Sequence, residues 1–192
     1  MEPFAVGRRL LDFGFGPGYF WQAALKAGWD AYGCDISVAG VEQARQFWHT
    51  DRLFETDSPR LRSLAADGFD VINASQVFEH LTSPVQTTGE LRLALTSGGV
   101  LALDVPNVAS LPAMISRPAV LDPAHMIYWS AVTLHRLLEQ NGFRVVEMLS
   151  GYGGTGLLSR FLSTGRAADV ALRLRRITTH GNGLFAVAVR TD

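Results

Sequence analysis

The stretch "LLDFGFGPGYF", residues 10–20, decides the fold, because an apolar run ends there in an acid and glycines follow closely. Residues 9–13 predict a short buried strand, and residues 19–28 predict a helix that begins just after the glycines. Glycine permits a left-handed backbone and a close approach of the chain to a ligand, and the free N–H groups of the helix point at the same place. The glycines are Gly14, Gly16 and Gly18. The stretch therefore predicts a strand–turn–helix unit with a ligand site above the turn.

The glycine spacing argues against a pyrophosphate as the ligand. Dinucleotide-binding chains carry G-x-G-x-x-G, whereas the third glycine here comes one residue early and Tyr19 stands in its usual place. Asp12, two residues before the first glycine, would repel a phosphate and would suit a cation. Asp35, at the end of the second predicted strand, can accept two hydrogen bonds from a ribose diol. A ribose, no phosphate and a cationic tail describe S-adenosylmethionine, which is the predicted cofactor.

The rest of the chain alternates apolar runs with amphipathic stretches, which predicts a mostly parallel sheet covered by helices on both faces. The predicted strands are 9–13, 30–36, 52–56, 69–75, 98–106, 143–149 and 184–190. The predicted helices are 19–28, 37–48, 59–66, 83–95 and 130–142. Residues 107–129 and 150–182 do not fit the alternation, and long connections of this kind are often binding loops. We expect both to be insertions on the substrate side of one domain, 1–192.

The composition narrows the class of protein. The 192 residues suffice for one domain with a substantial core, and a net charge of −1 gives no reason to expect nucleic acid or an acidic membrane as partner. One cysteine, Cys34, cannot form an internal disulfide, which favours a reducing compartment. The chain shows neither an apolar run long enough to span a membrane nor a signal-peptide layout at its start. These features predict a soluble cytoplasmic domain, and they leave its oligomeric state open.

Five motifs together resemble the class I S-adenosylmethionine-dependent methyltransferases, most closely the bacterial small-molecule branch that includes the ubiquinone O-methyltransferases. The motifs are "LLDFGFGPG", "YGCDIS", "FDVINASQVFEHL", "LTSGGVLALDVPN" and "HMIYWSAVTLHRLLEQNGFRVVEM". The resemblance runs from about residue 9 to residue 149, and "LFAVAVR" extends it to the last predicted strand. It implies a Rossmann-like α/β fold with seven strands in the order 3-2-1-4-5-7-6, the last of them antiparallel.

The resemblance also implies roles for individual residues at the cofactor. The three glycines would form the turn under the methionine part, and Asp12 would orient the methionine amino group. Asp35 would hold the ribose hydroxyls, and Ile36 would pack on the adenine. Ser75 and Gln76 would face the cofactor, and Asp57 would lie near the adenine amino group.

One departure from the resembling family lies at the start of the chain. Relatives carry a helical segment before the first strand that covers the cofactor, whereas this sequence has about eight residues there. The expectation is that this covering segment is missing, because the chain is a fragment, because a partner supplies the cover, or because the site is open.

Methyl transfer from a sulfonium requires alignment and exclusion of water, and a hydroxyl or amine acceptor can also require a base. The catalytic candidates are His80 and His125, and each has a structural alternative, a ring that bonds backbone or fixes a loop. Glu79 is expected to be structural, capping a following turn. No metal site is predicted, because the histidines are scattered and lack the spacing of a ligand pair on one helix.

Residues 156–177 carry apolar residues at helical spacing together with several arginines. The arginines are Arg160, Arg166, Arg173, Arg175 and Arg176. Such a helix can lie on a membrane or grip an acidic or lipid-linked substrate, and it can equally expose its arginines to water on a soluble surface. A helix with its arginines exposed to water on a soluble surface is the more common case, and it is the interpretation favoured here.

The sequence thus predicts S-adenosylmethionine-dependent methyl transfer to a small-molecule acceptor, with oxygen as the expected acceptor atom. A nicotinamide-dependent dehydrogenase is one alternative, and the early third glycine and the lack of a Tyr-x-x-x-Lys pair count against it. A methyltransferase-like domain that binds cofactor without turnover is the other alternative.

Overall fold

The structure, a computed structural model, describes residues 7–110, 122–151 and 183–192. In these ranges seven strands and five helices alternate along the chain. The strands are β1 Arg9–Phe13, β2 Asp30–Asp35, β3 Leu53–Glu55, β4 Phe69–Ser75, β5 Leu95–Pro106, β6 Phe143–Gly151 and β7 Gly183–Arg190. The helices are α1 Tyr19–Lys26, α2 Val38–Trp48, α3 Pro59–Ala66, α4 Pro84–Ala94 and α5 Ala131–Gln140.

The strands form one sheet in the order β3-β2-β1-β4-β5-β7-β6, which confirms the predicted Rossmann-like α/β fold. Strands β1 to β5 pair in parallel, and β7 lies antiparallel between β5 and β6. All the parallel strands therefore end at the same edge, which we call the carboxyl edge. The register places Asp12 opposite Asn73, and Ser75 opposite Asp104, near this edge.

Alternating side chains of the buried strands divide the core between the two faces of the sheet. Leu10 packs with Trp21 of α1 and Val41 of α2 on one face. Leu11 packs on the other face with Leu61 of α3, Leu91 of α4 and Leu134 of α5. Burial of one such side chain contributes roughly 1.5–3 kcal/mol, and strands that are apolar on both faces are those of a covered parallel sheet.

The helix and strand boundaries follow local chemistry. Ser37 caps α2 by accepting a hydrogen bond from the backbone N–H of Gly40, and Ser130 and Thr133 form a capping box at the start of α5. Strand β5 begins at Leu95, three residues earlier than predicted, because the backbone turns from helical to extended directly after Ala94. The chain therefore passes from α4 into β5 without a loop.

The two stretches that break the alternation are described only in part. Residues 111–121 and 152–182, with all five arginines of the predicted basic helix, lie outside the described residues. Gly183 pairs with Pro106 on one side and with Gly151 on the other, so the chain leaves and re-enters the sheet at the carboxyl edge. The predicted substrate-side position of both insertions stays a prediction. None of the helices in the described ranges has the length and apolarity needed to cross a membrane.

Candidate functional site

The glycine turn after β1 is fixed to β2 by its backbone. The N–H groups of Gly14 and Phe15 both donate to the carbonyl of Cys34, at 2.7 and 3.2 Å. Gly14 has φ +76°, and a Cβ at this position would lie 2.3 Å from Cγ2 of Val77, so the close approach to the loop after β4 excludes a side chain. Gly18 precedes α1 with φ +81°. The turn thus forms as predicted, and its shape depends on contacts on both sides.

Asp12 lies under this turn with a carboxylate that is only half satisfied. The residue is 2% exposed, and one oxygen accepts a hydrogen bond of 2.7 Å from Nδ2 of Asn73. The other oxygen, Oδ2, is buried without a partner among the described residues. Burial raises the pKa of Asp12 to about 7, with a smaller contribution from the negative charge of Asp35, while Asn73 and the Trp21 backbone oppose the rise. A buried oxygen without a donor matches an ammonium group of a ligand.

Asp35 ends β2 beside the turn, and two backbone groups orient its carboxylate. Gly16 donates to Oδ2 at 3.0 Å, and Ser37 donates to Oδ1 at 2.9 Å. An ionised carboxylate has about four acceptor positions, so two remain for further donors. The geometry is compatible with the predicted ribose contact.

The other predicted cofactor residues lie along the same edge. Ile36, directly after Asp35, is a large apolar side chain that is 89% exposed. Asp57 lies in the exposed turn after β3, where its carbonyl accepts from Arg62. Ser75 ends β4 and Gln76 follows it, so the structure brings the predicted set to one edge of the sheet.

Asp104 of β5 holds the end of β4, and the sequence analysis gave it no role although it lies in one of the five motifs. It is 2% exposed and accepts a hydrogen bond of 3.2 Å from the Ser75 hydroxyl, while its carbonyl accepts from the backbone N–H of Gln76 at 2.7 Å. Gln76 has φ +56°, an uncommon conformation for a residue with a side chain. Burial raises the pKa of Asp104, against the lowering effect of its bonds from Ser75 and Gln76. Asp104 thus fixes two residues that were predicted to face the cofactor.

His80 and His125, 45 residues apart in sequence, lie with their ring centroids 5.0 Å apart beyond the end of β4. Nδ1 of His80 is 3.0 Å from the carbonyl oxygen of Ala124. Because that oxygen only accepts, Nδ1 carries the proton and Nε2 of the neutral ring is left with a lone pair. His125 has a buried Nδ1 without a partner among the described residues. The pairing of two candidate catalytic residues supports a site here.

Glu79 lies beneath the two histidines, and its expected role as a cap is wrong. The residue is 1% exposed, and neither carboxylate oxygen has a hydrogen-bond partner in the described ranges. Its Oε1 is 3.9 Å from Nε2 of His80, and its backbone carbonyl accepts from the N–H groups of Met126 and Ile127. Burial raises the pKa of Glu79, while its own backbone and the two histidines oppose the rise.

The scattered histidines of the sequence therefore form a cluster in space, contrary to the reasoning that excluded metal-binding groups from their spacing. One atom each from Glu79, His80 and His125 lies within 4.8 Å of the other two. Ligand atoms bonded to a small divalent cation at about 2.0–2.2 Å are roughly 3–3.5 Å apart. The three side chains would have to move closer together before they could hold such an ion.

A cavity of about 500 Å³ lies on the helix side of the glycine turn, between the turn and α2. Its lining residues are Gly16, Pro17, Tyr19, Gly40, Gln43, Ala44 and Phe47. It shares only Gly16 with the predicted site residues. Trp48 lies next to it and donates from Nε1 to the carbonyl of Pro17 at 3.0 Å, which fixes the turn from this side.

Comparison with known proteins agrees with this geometry. A family model described as "Methyltransferase domain" matches residues 2–148. A ubiquinone biosynthesis O-methyltransferase of Roseobacter denitrificans is 29% identical over 133 residues, which are 67% of this chain and 51% of that protein. A tRNA U34 carboxymethyltransferase of Pseudomonas fluorescens is 32% identical over 114 residues, 51% of this chain and 32% of that protein. The chain thus spans between about a third and a half of the length of these curated relatives.

Solved structures share the fold at lower sequence identity. The crystal structure of a SAM-dependent methyltransferase from Archaeoglobus fulgidus superposes with a TM-score of 0.68 and 21% identity. The match covers 97% of this chain and 88% of that chain. The fold of the described residues is therefore that of a known methyltransferase structure.

Proposed function

The chain belongs to the class I S-adenosylmethionine-dependent methyltransferase family, and on that premise we propose that it transfers the methyl group of this cofactor to a hydroxyl oxygen of a small molecule. The observation that carries the proposal is the unpaired, buried Oδ2 of Asp12 beside the glycine turn. The cofactor ends in an amino acid whose ammonium group would satisfy this oxygen. An oxygen of this kind would repel a pyrophosphate.

The residues around the turn have separate tasks in binding. Asp12 would accept from the methionine ammonium, and Asp35, oriented by its two backbone donors, would accept from the ribose diol. Ile36 would bury its exposed side chain against the adenine. Bound S-adenosylmethionine supplies an activated methyl group, so the chain has to align the acceptor and exclude water.

The acceptor site is proposed at the cluster beyond β4. His80 has a free Nε2 and a side chain that is 45% exposed, and the paired His125 lies beside it. A base in this position can remove the proton of a hydroxyl as the new bond forms. His80 and His125 are therefore the proposed catalytic residues, with His80 the better placed of the two.

A small molecule is proposed as the acceptor in preference to RNA, although one relative is named for tRNA. The described part of the carboxyl edge carries the acids Asp12, Asp35, Glu79 and Asp104 near the proposed reaction centre. An RNA backbone is bound by lysine and arginine, and acids at the site would repel its phosphates. A neutral hydroxyl compound would not be repelled by these acids.

Thermal unfolding with candidate cofactors tests the binding half of the proposal. S-adenosylhomocysteine is expected to raise the melting temperature and NAD to leave it unchanged, because a ligand at 100 times its Kd adds roughly 2.7 kcal/mol. Asp35→Asn should weaken S-adenosylhomocysteine binding, and Asp67→Asn, on an exposed turn, should not. A melting temperature raised by NAD alone would reinstate the dehydrogenase alternative.

Turnover separates an enzyme from a domain that only binds. Methylated product from S-adenosylmethionine is to be measured with phenols, sugar hydroxyls, amines and tRNA as acceptors. A hydroxyl compound as the methylated acceptor supports the proposal. Methylation of tRNA or an amine alone would overturn the acceptor class, and cofactor binding without turnover on any of them would favour a binding domain.

A further inference from the structure

The buried carboxylate of Glu79 has no structural task that the described residues reveal. Its two oxygens lack hydrogen-bond partners, and the residue is 1% exposed. Removal of a carboxylate from water without a partner costs several kcal/mol. The Glu79 carboxylate lowers the stability of the fold and holds no other described residue in place. We therefore look for its role in function.

Backbone hydrogen bonds fix the position of Glu79 beside His80. Its backbone carbonyl accepts from Met126 at 2.8 Å and from Ile127 at 3.1 Å, which ties it to the segment that carries His125. The same segment supplies the carbonyl of Ala124 that holds Nδ1 of His80. The 3.9 Å between Oε1 of Glu79 and Nε2 of His80 is too long for a hydrogen bond, but it is short enough for the carboxylate to attract a protonated ring.

We propose that Glu79 is a positioning residue for methyl transfer, whose buried carboxylate stabilises the His80 ring once Nε2 has taken the proton of the acceptor. The inference rests on the proposed function. In the transfer the acceptor oxygen bonds to the methyl carbon, the carbon–sulfur bond breaks with its electron pair left on sulfur, and the O–H proton moves to Nε2. The positive charge of the ring then lies beside two acceptors, the carbonyl of Ala124, which the Nδ1–H faces, and the carboxylate of Glu79, 3.9 Å from Nε2.

Two methyl acceptors, one with a protonated hydroxyl and one already ionised, distinguish a positioning role of Glu79 from a merely structural one. At pH 8 phenol carries its proton, whereas 4-nitrophenol is largely ionised and needs no base. Glu79→Gln keeps the shape of the side chain and removes the charge. We expect it to lower phenol methylation at least about 100-fold and 4-nitrophenol methylation by less than about threefold. Glu90→Gln, on the exposed face of α4, should leave both rates unchanged.

A double variant tests whether Glu79 acts through His80. Because the two would form one unit, Glu79→Gln should add little to the loss caused by His80→Gln. Free energies of unfolding provide a readout without turnover. Glu79→Gln should be at least as stable as the wild type at pH 8, since it removes an unpaired buried charge. Should Glu79→Gln fail to fold, Glu79→Asp keeps the charge and should keep the wild-type ratio of the two rates.

Several results would overturn the inference. Equal losses on phenol and 4-nitrophenol would indicate a structural role, and additive losses in the double variant would show that Glu79 acts independently of His80. Loss of wild-type activity with EDTA and its return with Mg²⁺ would make the cluster a metal site instead. A wild type that binds S-adenosylhomocysteine but methylates neither these phenols nor sugar hydroxyls would remove the hydroxyl acceptor, and with it the inference. Absence of S-adenosylhomocysteine binding would refute the proposed function itself.

Discussion

At the scale of single residues, the proposed cofactor contact of Asp12 opposes the stability of the fold. Its carboxylate is buried with one partner where it has room for several. Burial raises its pKa to about 7, so the free protein at neutral pH is divided between the charged and the neutral acid. A cationic group of the cofactor would favour the charged form. Binding at this residue should therefore be coupled to loss of a proton.

The pH dependence of cofactor affinity tests this coupling. Below pH 7 Asp12 takes up a proton in the free protein, so the Kd of S-adenosylhomocysteine should rise about tenfold between pH 8 and pH 6. Asp12→Asn should bind more weakly at pH 8 and show little change over the same range. Isothermal titration calorimetry measures both, with Asp67→Asn as the control. A wild-type affinity that is flat from pH 6 to 8 would contradict the assignment of the ammonium to Asp12.

The glycines of the turn differ in how much space a side chain would have at each position. Gly14→Ala should destabilise the protein by about 2 kcal/mol or more, because its Cβ would lie 2.3 Å from Val77 and its φ is +76°. Gly16→Ala has open space around its Cβ and should cost only about 1 kcal/mol for its φ of +52°. Urea denaturation gives the free energies of unfolding. Val77→Ala should recover part of the Gly14→Ala loss, and equal costs for the two alanines would refute the contact.

At the scale of elements, the serines that precede helices differ in whether their side chains cap the helix. Ser130 accepts from the N–H of Thr133 in a capping box, whereas Ser58 and Ser83 precede α3 and α4 without a side-chain cap. Ser130→Ala should cost about 1 kcal/mol of unfolding free energy. Ser58→Ala and Ser83→Ala are matched controls that should stay within about 0.5 kcal/mol of wild type. A similar loss at all three would mean that the serines act through something other than caps.

The sequence was sufficient to predict the strands and helices because the residues of each βα unit mark where its strand and helix begin and end. Apolar runs and glycines defined strands and helices to within about three residues, and the glycine turn with Asp12 and Asp35 followed from their order. The cluster of Glu79, His80 and His125 was different, because 45 residues separate its two histidines and only the fold joins them. Asn73 and Asp104 were missed because their partners lie on neighbouring strands.

At the scale of the whole molecule, the carboxyl edge collects acids that the fold buries. Asp12, Glu79 and Asp104 are each at most 2% exposed, and burial is the main cause that raises the pKa of each. The parallel topology places the ends of β1, β4 and β5 side by side, so residues far apart in sequence share one electrostatic environment. Proton uptake at this edge should therefore affect the stability of the entire domain.

The free protein should lose stability as the pH rises from 5 to 8. A carboxyl with a raised pKa keeps its proton in the folded state after the unfolded chain has lost it, so its contribution is complete below the unfolded pKa and disappears as the pH passes the folded one. For Asp12 that window runs from 3.8 to about 7, which gives a loss of roughly 2–3 kcal/mol between pH 5 and pH 8. Glu79 and Asp104 act in the same direction. Urea denaturation at the two pH values measures the loss, and Asp12→Asn should reduce it. A wild type as stable at pH 8 as at pH 5 would mean that these acids find donors in the free protein.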